Sequence, residues 1–358
     1  MTAVGGARRL KGRGAASNPA GRFEKTHREA MDDGWFPPED EAHPRPSTTV
    51  TPERARSIIA RNDSPDIPFE QSINPYRGCE HGCVYCYARP SHAYLDLSPG
   101  LDFETRLFAK TNAADRLRAE LCRRGYRPSP MNIGANTDPY QPVERHHRIT
   151  RGLLEVLLEA RHPCTVITKS AMVERDLDLL AALASNDLVA VLVSVTTLDN
   201  RLAARLEPRA SAPHRRIETI ARLRSAGVPV GVLVSPVIPM ITDAELESIL
   251  ERTREAGAVS ASYALLRLPH EVAGLFREWL DIHYPARAGH VMSLVQQMRG
   301  GRDNDPRFGV RLRGEGVFAE LLAQRFRSTA KRLGFALGEG FKLRRDLFRP
   351  PGPQGALF

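Results

Sequence analysis

The sequence has no long hydrophobic run, and this absence excludes the simplest membrane architecture. Nowhere in the chain do eighteen apolar residues follow one another. A helix needs roughly that many to cross a bilayer, so we expect no membrane-spanning helix. The first residues, MTAVGGARRLKGRG, include an arginine pair, but no apolar stretch follows it. We therefore expect neither a secretory nor a twin-arginine signal.

Cysteine is also scarce. The chain has five cysteines among 358 residues, and they are unevenly placed. A small secreted protein held together by disulfides would carry a denser and more regular set. The cysteine content therefore argues against a disulfide framework and favours a reducing compartment, so we expect a cytoplasmic location.

Acidic side chains are outnumbered by basic ones. The 42 Asp and Glu residues are opposed by 51 Lys and Arg, which gives a formal net charge of +9. Much of the excess lies near the ends, for example in FKLRRDLFRPPGPQ. A basic balance favours a polyanionic partner such as nucleic acid, although it also serves solubility. Composition alone leaves both interpretations open.

The chain has a patterned middle between two less regular ends. Residues 1–64 are rich in Gly, Pro, Arg and Ser, which predicts a largely disordered segment, apart from a short helix beginning at Thr51. Residues 65–270 alternate short apolar runs with amphipathic stretches. Residues 271–345 show helical patterns only, and residues 346–358 form a tail.

The patterned middle predicts an α/β fold. Its apolar runs are rich in Val and Ile and nearly continuous in hydrophobicity, as in strands buried on both faces. The predicted strands are 69–78, 131–137, 164–170, 188–197, 229–239 and 259–268. Helical segments separate them, and alternation of this kind implies a parallel sheet with right-handed crossovers. We expect a partial barrel of six strands with a C-terminal helical extension packed on it.

Three of the five cysteines lie within eight positions, in CEHGCVYC, at Cys79, Cys83 and Cys86. Structural zinc sites take four ligands, so His81 or His92 would have to supply the fourth. An iron–sulfur cluster held by three cysteines instead leaves one iron without a protein ligand, where a substrate or cofactor can bind. The residues alone leave both alternatives open.

The position of these cysteines in the chain favours a catalytic metal site over a structural one. They follow the first predicted strand, at the rim where β/α barrel enzymes have their active sites. Spacing and context together resemble the radical S-adenosylmethionine (SAM) superfamily. That resemblance implies a partial (β/α)6 TIM-like barrel, a [4Fe-4S] cluster on Cys79, Cys83 and Cys86, and SAM bound at the open iron. It also implies reductive cleavage of SAM to a 5′-deoxyadenosyl radical, with an electron donor such as flavodoxin or ferredoxin.

Within that superfamily, the sequence is similar to the spore photoproduct lyase branch of DNA-repair proteins and its uncharacterised relatives. The likeness is carried by CVYCYAR, with a tyrosine on each side of the third cysteine, and then by TKS, VSV and LEPRASAPHRR. The resemblance makes Tyr85 and Tyr87 the catalytic candidates, although both could simply shield the cluster. The cofactor-binding residues that it implies are Lys169, Ser194, Glu207 and Arg215.

The loop after the second predicted strand departs from that branch. Photoproduct lyase carries a hydrogen-donating cysteine there, whereas this sequence reads GANTDPYQPVE, with Ala135 or Asn136 at the matching place. We therefore do not expect a thiol to return hydrogen to a product radical here. Asn136 and Asp138 are further cofactor-binding candidates because they end a strand at the active rim, although Asp-Pro-Tyr-Gln-Pro is also typical of a tight turn.

Three functions follow from these observations. The first is a radical SAM enzyme acting on an unknown substrate. The second is a DNA-binding repair protein of the photoproduct lyase type, and the third is a non-enzymatic zinc or redox module. Iron and sulfide content separates the third from the others, and a salt-dependent gel shift separates the second from an enzyme of small molecules.

Overall fold

The computed structural model describes residues 10–24, 47–337 and 340–352. The strands among them are β1 Thr49–Glu53, β2 Ile59–Arg61, β3 Gln71–Ile73, β4 Tyr76–Arg77, β5 Arg106–Lys110, β6 Met131–Ile133, β7 Cys164–Thr168, β8 Val189–Ser194, β9 Val230–Val237 and β10 Ser260–Leu265. The α-helices are α1 Leu101–Thr105, α2 Ala113–Leu121, α3 Glu144–His147, α4 Ile149–Glu159, α5 Leu177–Ala184, α6 Asn200–Leu206, α7 Pro213–Ser225, α8 Leu246–Glu255, α9 Val272–His283, α10 Ala288–Gln297 and α11 Val317–Arg332. Three 3-10 helices span Arg89–Leu95, Ala171–Asp176 and Asp243–Glu245. None of the described helices combines the length and apolar character that crossing a membrane requires.

Seven strands form the main sheet in the order β10-β9-β8-β7-β6-β3-β2. Strands β3, β6, β7, β8, β9 and β10 pair in parallel with their neighbours, whereas β2 pairs antiparallel with β3 at one edge. Parallel strands that neighbour one another in chain order, with helices between them, form an incomplete β/α barrel. The predicted α/β fold and its six parallel strands are confirmed. The antiparallel edge strand β2 was not among the predicted strands.

The core lies between this sheet and its surrounding helices. Strand β8 reads VAVLVS, and its Val191 and Val193 are buried in the same apolar cluster as Leu153 and Leu157 of α4. The nearly continuous apolar runs of the sequence follow from this placement, since strands covered on both faces have no solvent side. Each such side chain contributes about 1.5–3 kcal/mol by leaving water.

Both described stretches of the N-terminal segment are ordered, so the prediction of disorder does not hold for them. Residues 10–24 lie against the cysteine loop, and residues 47–64 contribute β1 and β2. The helix predicted from Thr51 is wrong, because β1 pairs in parallel with β5 and this tertiary pairing overrides a weak local preference. Residues 1–9 and 25–46 lie outside the described part of the chain, so disorder there stays a prediction.

The C-terminal extension is helical, as predicted, and it packs at the carboxyl-terminal rim of the barrel. Phe276 and Trp279 of α9 share a buried cluster with Val84 and Tyr85, which belong to the cysteine loop. The Trp279 indole donates a hydrogen bond to the carbonyl of Arg205 at 3.0 Å. The extension therefore helps to build the mouth of the barrel. The domain boundaries at residues 64, 270 and 345 remain predictions.

The tail crosses the opposite rim of the sheet. The backbone amides of Arg344 and Arg349 donate to the carbonyls of Asp187 and Ala160, each at 2.9 Å. These two acceptors precede β8 and β7, so the tail lies across the amino-terminal ends of the strands. Residues 353–358 of the predicted tail are outside the described ranges.

A loop after α10 connects the two edges of the main sheet. The amide of Leu265, at the end of β10, donates to the carbonyl of Leu312 at 2.9 Å. In the same loop, Arg311 binds both carboxylate oxygens of Asp66, at 2.8 and 2.5 Å. Asp66 lies between β2 and β3, so this loop spans the opening of the partial barrel.

Candidate active site

The three clustered cysteines lie on one loop, which follows β4 at the carboxyl-terminal rim of the sheet. All three are free thiols, with Cys79 and Cys83 buried and Cys86 partly buried. Successive tight turns fold the loop: the amides of Gly82, Cys86 and Arg89 each donate to the carbonyl three residues earlier. These turns gather the three cysteines into one small region.

The electrostatics of the loop fit a metal cluster. Burial raises the pKa of all three thiols. For Cys79, the negative charge of Asp138 raises the pKa further, and so do the charges of Cys83 and Cys86. A cationic iron–sulfur cluster relieves that repulsion and releases the thiol protons on binding. Three neighbouring thiols in one buried loop are the donor set that such a cluster takes.

The two histidines considered as a fourth zinc ligand have other partners. Nδ1 of His81 lies 3.3 Å from Oδ2 of Asp138, and Nε2 of His92 lies 3.0 Å from the carbonyl oxygen of Arg106. Within the described ranges, no three His, Cys, Asp or Glu side chains are placed to hold a single metal ion. This placement of the side chains disfavours a Cys3His zinc site among the described residues.

The buried carboxylate of Glu104 connects the cysteine loop to the N-terminal segment. Glu104 accepts hydrogen bonds from Arg89 at 2.5 Å and from the amide of Gly14 at 3.0 Å, and Arg89 donates to the carbonyl of Cys83 at 2.9 Å. Gly14 approaches so closely that a Cβ atom there would lie 1.8 Å from the carbonyl oxygen of Gly82. Only glycine fits this contact. The sequence analysis missed this support because composition assigned the N-terminal segment to disorder.

A polar cluster lies beside the loop, where β7 and β8 end. Nζ of Lys169 donates to Oγ of Ser194 at 2.5 Å and lies 3.2 Å from Oε1 of Glu207. Glu207 also accepts hydrogen bonds from the Tyr85 hydroxyl and from Oγ1 of Thr196 at 2.6 Å. The structure therefore brings together four of the predicted residues, and Thr196 joins them unpredicted.

Arg216 completes this cluster and sets its charge. Arg216 and Glu207 form an ion pair in which each side chain is 1% exposed. Although burial acts in the opposite direction, the charges of Arg216 and Lys169 hold the pKa of Glu207 well below its usual value. Burial and the Glu207 charge raise the pKa of Tyr85, so its phenol stays protonated and donates. Nζ of Lys169 also donates to the carbonyl of Ser235 at 3.2 Å, so a carboxylate ligand would bind this ammonium group by replacing one of its present contacts.

Arg215, the arginine that the sequence analysis selected, is not in this cluster. Its guanidinium contacts Glu218 and Glu174 instead of the buried Glu207. Adjacent helical residues point about 100° apart, so only one of the two arginines can face the site. The sequence motif carries both residues and holds no information on which one turns inward.

Asn136 and Asp138 occupy the turn after β6. Asn136 is exposed, whereas Asp138 accepts hydrogen bonds from the amide of Tyr140 at 2.8 Å, the hydroxyl of Thr168 at 2.8 Å and the amide of Lys169 at 2.7 Å. Asp138 therefore ties this turn to the end of β7 and positions the backbone that carries Lys169. A contact between the cofactor and either residue stays a prediction.

Tyr87 lies at the outer edge of the mouth, directly after Cys86. Its side chain is 47% exposed, and its hydroxyl donates to the carbonyl of Ala135 in the turn after β6. The guanidinium carbon of Arg267 lies 5.5 Å from the centroid of its ring. Tyr85 and Tyr87 thus differ in surroundings, since the first is buried in the polar cluster and the second faces the opening.

Comparisons with known proteins agree with this geometry. The sequence profile of the Radical SAM superfamily matches residues 73–253. An uncharacterised protein of Mycobacterium tuberculosis (strain ATCC 25618 / H37Rv) is 38% identical over 233 residues, which cover 64% of this chain and 68% of the relative. A radical SAM Nα-GlyT isomerase of Pseudomonas phage M6 is 25% identical over 194 residues, which cover 53% of this chain and 38% of the isomerase.

Solved structures share the fold. A tyrosine-to-phenylalanine variant of spore photoproduct lyase superposes with a TM-score of 0.58 at 14% identity, covering 80% of each chain. A doubly substituted variant of the same enzyme, with bound AdoMet and dinucleoside spore photoproduct, gives a TM-score of 0.56 at 15% identity, also over 80% of each chain. The matched superfamily consists of enzymes that use a [4Fe-4S] cluster and SAM.

Proposed function

The chain belongs to the radical SAM superfamily, and we propose that it holds a [4Fe-4S] cluster through Cys79, Cys83 and Cys86 and cleaves SAM reductively to start a radical reaction. The observation that carries the proposal is the group of three free thiols on one buried loop, beside the partly buried ammonium group of Lys169. Three sulfur ligands leave one iron of a four-iron cluster open, and SAM can bind there.

A bound cluster would pass one electron from an external donor to the SAM sulfonium, which would split into methionine and a 5′-deoxyadenosyl radical able to take a hydrogen atom from substrate. A flavodoxin or a ferredoxin is the expected electron donor. Lys169 binds the SAM carboxylate, with Ser194 fixing the direction of the ammonium group. Glu207 keeps Lys169 and Tyr85 in place, and the buried Tyr85 shields the cofactor from solvent. Tyr87 lines the path by which substrate enters.

A reaction on DNA is the second candidate function. Two observations favour it: the net charge of +9 and the shared fold with spore photoproduct lyase, which was solved with a dinucleoside spore photoproduct. The turn after β6, with Ala135 and Asn136 where photoproduct lyase has a thiol, argues against the same hydrogen-return step. A gel shift with duplex and single-stranded DNA that weakens steeply with salt would favour this candidate.

Anaerobic reconstitution tests the main proposal. Reconstituted protein should contain about four iron and four sulfide per chain, and it should form 5′-deoxyadenosine when dithionite and SAM are added. Cys83→Ala should lose both the iron and the nucleoside product, because a loop with two thiols cannot hold the cluster. Cys122→Ala is the matched control, since Cys122 is exposed and lies outside the loop, and it should keep both.

Two results would contradict the proposal. One is a wild-type protein that carries an intact cluster but forms no 5′-deoxyadenosine. The other is a Cys83→Ala variant that retains full iron content. Circular dichroism of both variants establishes that each substitution leaves the barrel folded.

A further inference from the structure

Arg267 is an arginine at the mouth of the barrel that lacks an anionic partner. It lies two residues beyond the end of β10, and its guanidinium carbon is 5.5 Å from the ring centroid of Tyr87. Within the part of the chain that the structure describes, no carboxylate or carbonyl group accepts a hydrogen bond from it, and its Nε is buried without a partner. A guanidinium left in this state costs free energy.

One of its charged neighbours is another guanidinium, that of Arg311. Burial lowers the pKa of Arg267, and the charge of Arg311 lowers it further. Asp66 lies close enough to act in the opposite direction, but both of its carboxylate oxygens are bound to Arg311. The carboxylate of Asp66 therefore neutralises Arg311 and leaves Arg267 uncompensated.

A third guanidinium adds to the excess. Arg299 is buried and donates only to backbone carbonyls, at 2.8 Å each. Burial lowers the pKa of Arg299 to about 10, and the charge of Arg267 contributes to this shift. Asp305, which acts in the opposite direction, is itself paired with Arg307 at 2.6 Å. The region around Arg267 thus holds more positive than negative charge.

Other cations near the cysteine loop are paired. Lys169 lies 3.2 Å from Glu207, and Arg209 lies 2.9 Å from Glu80. Lys169 and Arg209 are therefore compensated by carboxylates, whereas Arg267 and Arg299 are not.

We infer that Arg267 binds an oxyanion of the substrate, a phosphate or phosphodiester, at the mouth of the barrel. The inference rests on the proposed function, because it takes this rim as the place where substrate enters. The guanidinium fork matches two phosphate oxygens, and the Tyr87 ring supports the guanidinium from one side. Two sources share this chemistry: a nucleic acid strand and a phosphorylated small molecule.

Binding measurements on the full chain test the inference without any turnover. Isothermal titration at constant ionic strength compares inorganic phosphate, acetate and an oligothymidylate of eight nucleotides. Phosphate or the oligonucleotide should bind the wild-type chain, and Arg267→Gln should weaken that binding by about tenfold or more, as expected for a lost charge-assisted hydrogen bond. Arg267→Lys should restore part of the affinity. Arg124→Gln, which removes the same charge from an exposed site after α2, should bind like the wild type.

The outcomes discriminate between sources and can overturn the inference. Arg267-dependent binding of the oligonucleotide much tighter than of phosphate identifies a nucleic acid substrate, and similar binding of both identifies a phosphorylated small molecule. The inference is overturned if neither ligand binds, if acetate binds as well as phosphate, or if Arg267→Gln binds like the wild type. It is also overturned if Arg267→Gln weakens binding of SAM but not of phosphate, since Arg267 would then serve the cofactor.

These results are separable from the proposed radical chemistry. If phosphate binding is absent while 5′-deoxyadenosine still forms, only the inference about substrate fails. If the binding depends on Arg267 but no nucleoside product forms, the radical SAM reaction fails and the anion site remains.

Discussion

Two cationic side chains at the same rim of the barrel have opposite surroundings. Lys169 is held by Ser194 and by the buried carboxylate of Glu207, whereas Arg267 lies against the face of the Tyr87 ring and has no paired carboxylate among the described residues. The first is balanced before any ligand arrives, and the second is not. Both residues follow parallel strands by one or two positions, so strand geometry alone does not create the difference.

The comparison shows how neighbours set the kind of ligand that a cation prefers. A cation already paired with a carboxylate suits a ligand that brings both charges, such as the amino and carboxylate groups of SAM, because the ligand replaces existing contacts. A cation without a counter-charge gains most from a ligand with net negative charge. One rim can thus bind a zwitterionic cofactor and an anionic substrate in adjacent places.

Removal of the Glu207 charge should have the largest effect on stability. Glu207→Gln leaves Arg216 and Lys169 in a buried cluster without a counter-charge, and this should lower the free energy of unfolding by about 3–5 kcal/mol. Urea denaturation of the wild type and the variant measures the loss. Glu218→Gln, at an exposed position, is the control and should change stability by no more than about 0.5 kcal/mol. A loss below about 1 kcal/mol in Glu207→Gln would refute the assigned role of this carboxylate.

Separate substitutions of Lys169 and Arg267 should distinguish cofactor binding from substrate binding. Lys169→Met should weaken the binding of S-adenosylhomocysteine to reconstituted protein by about tenfold or more, because a carboxylate loses its charge-assisted hydrogen bond. Lys169→Met should keep the wild-type affinity for phosphate. Arg267→Gln should instead lose affinity for phosphate and keep its affinity for S-adenosylhomocysteine. Anaerobic equilibrium dialysis measures both affinities. If both variants lose both ligands to the same extent, the two cations form one site and the comparison fails.

The smallest effect is expected at Arg215. Arg215→Gln removes a partly exposed ion pair on α7, which contributes little, so the rate of 5′-deoxyadenosine formation should change by less than about twofold. Arg216→Gln, one residue further along, should lose most of the activity because it leaves the Glu207 carboxylate without its buried partner. A larger loss in Arg215→Gln than in Arg216→Gln would show that the helix presents Arg215 to the site instead, and equal losses would refute the distinct roles assigned to the two residues.

The amino-acid sequence by itself determined the features that depend on local pattern. The spacing of Cys79, Cys83 and Cys86 predicted one loop of three thiols, and hydrophobic runs bounded by helices predicted six parallel strands. The motifs TKS and VSV, through their resemblance to a known family, selected Lys169 and Ser194. These predictions succeed because covalent spacing, strand burial and crossover handedness act over short lengths of chain.

The tertiary structure alone decided which side chains have partners. Gly14 packs against Gly82, and its amide reaches Glu104, yet the surrounding composition predicted disorder. Arg216 faces Glu207, whereas the adjacent Arg215 does not. Arg267 lacks a counter-charge because Asp66 is bound to Arg311. The contacts of Gly14 and of Asp66 join residues far apart in the chain, and the Arg216–Glu207 contact joins a helix to the loop before it. Their energies depend on which groups the fold places within a few ångströms of one another, and no local pattern of the sequence specifies that.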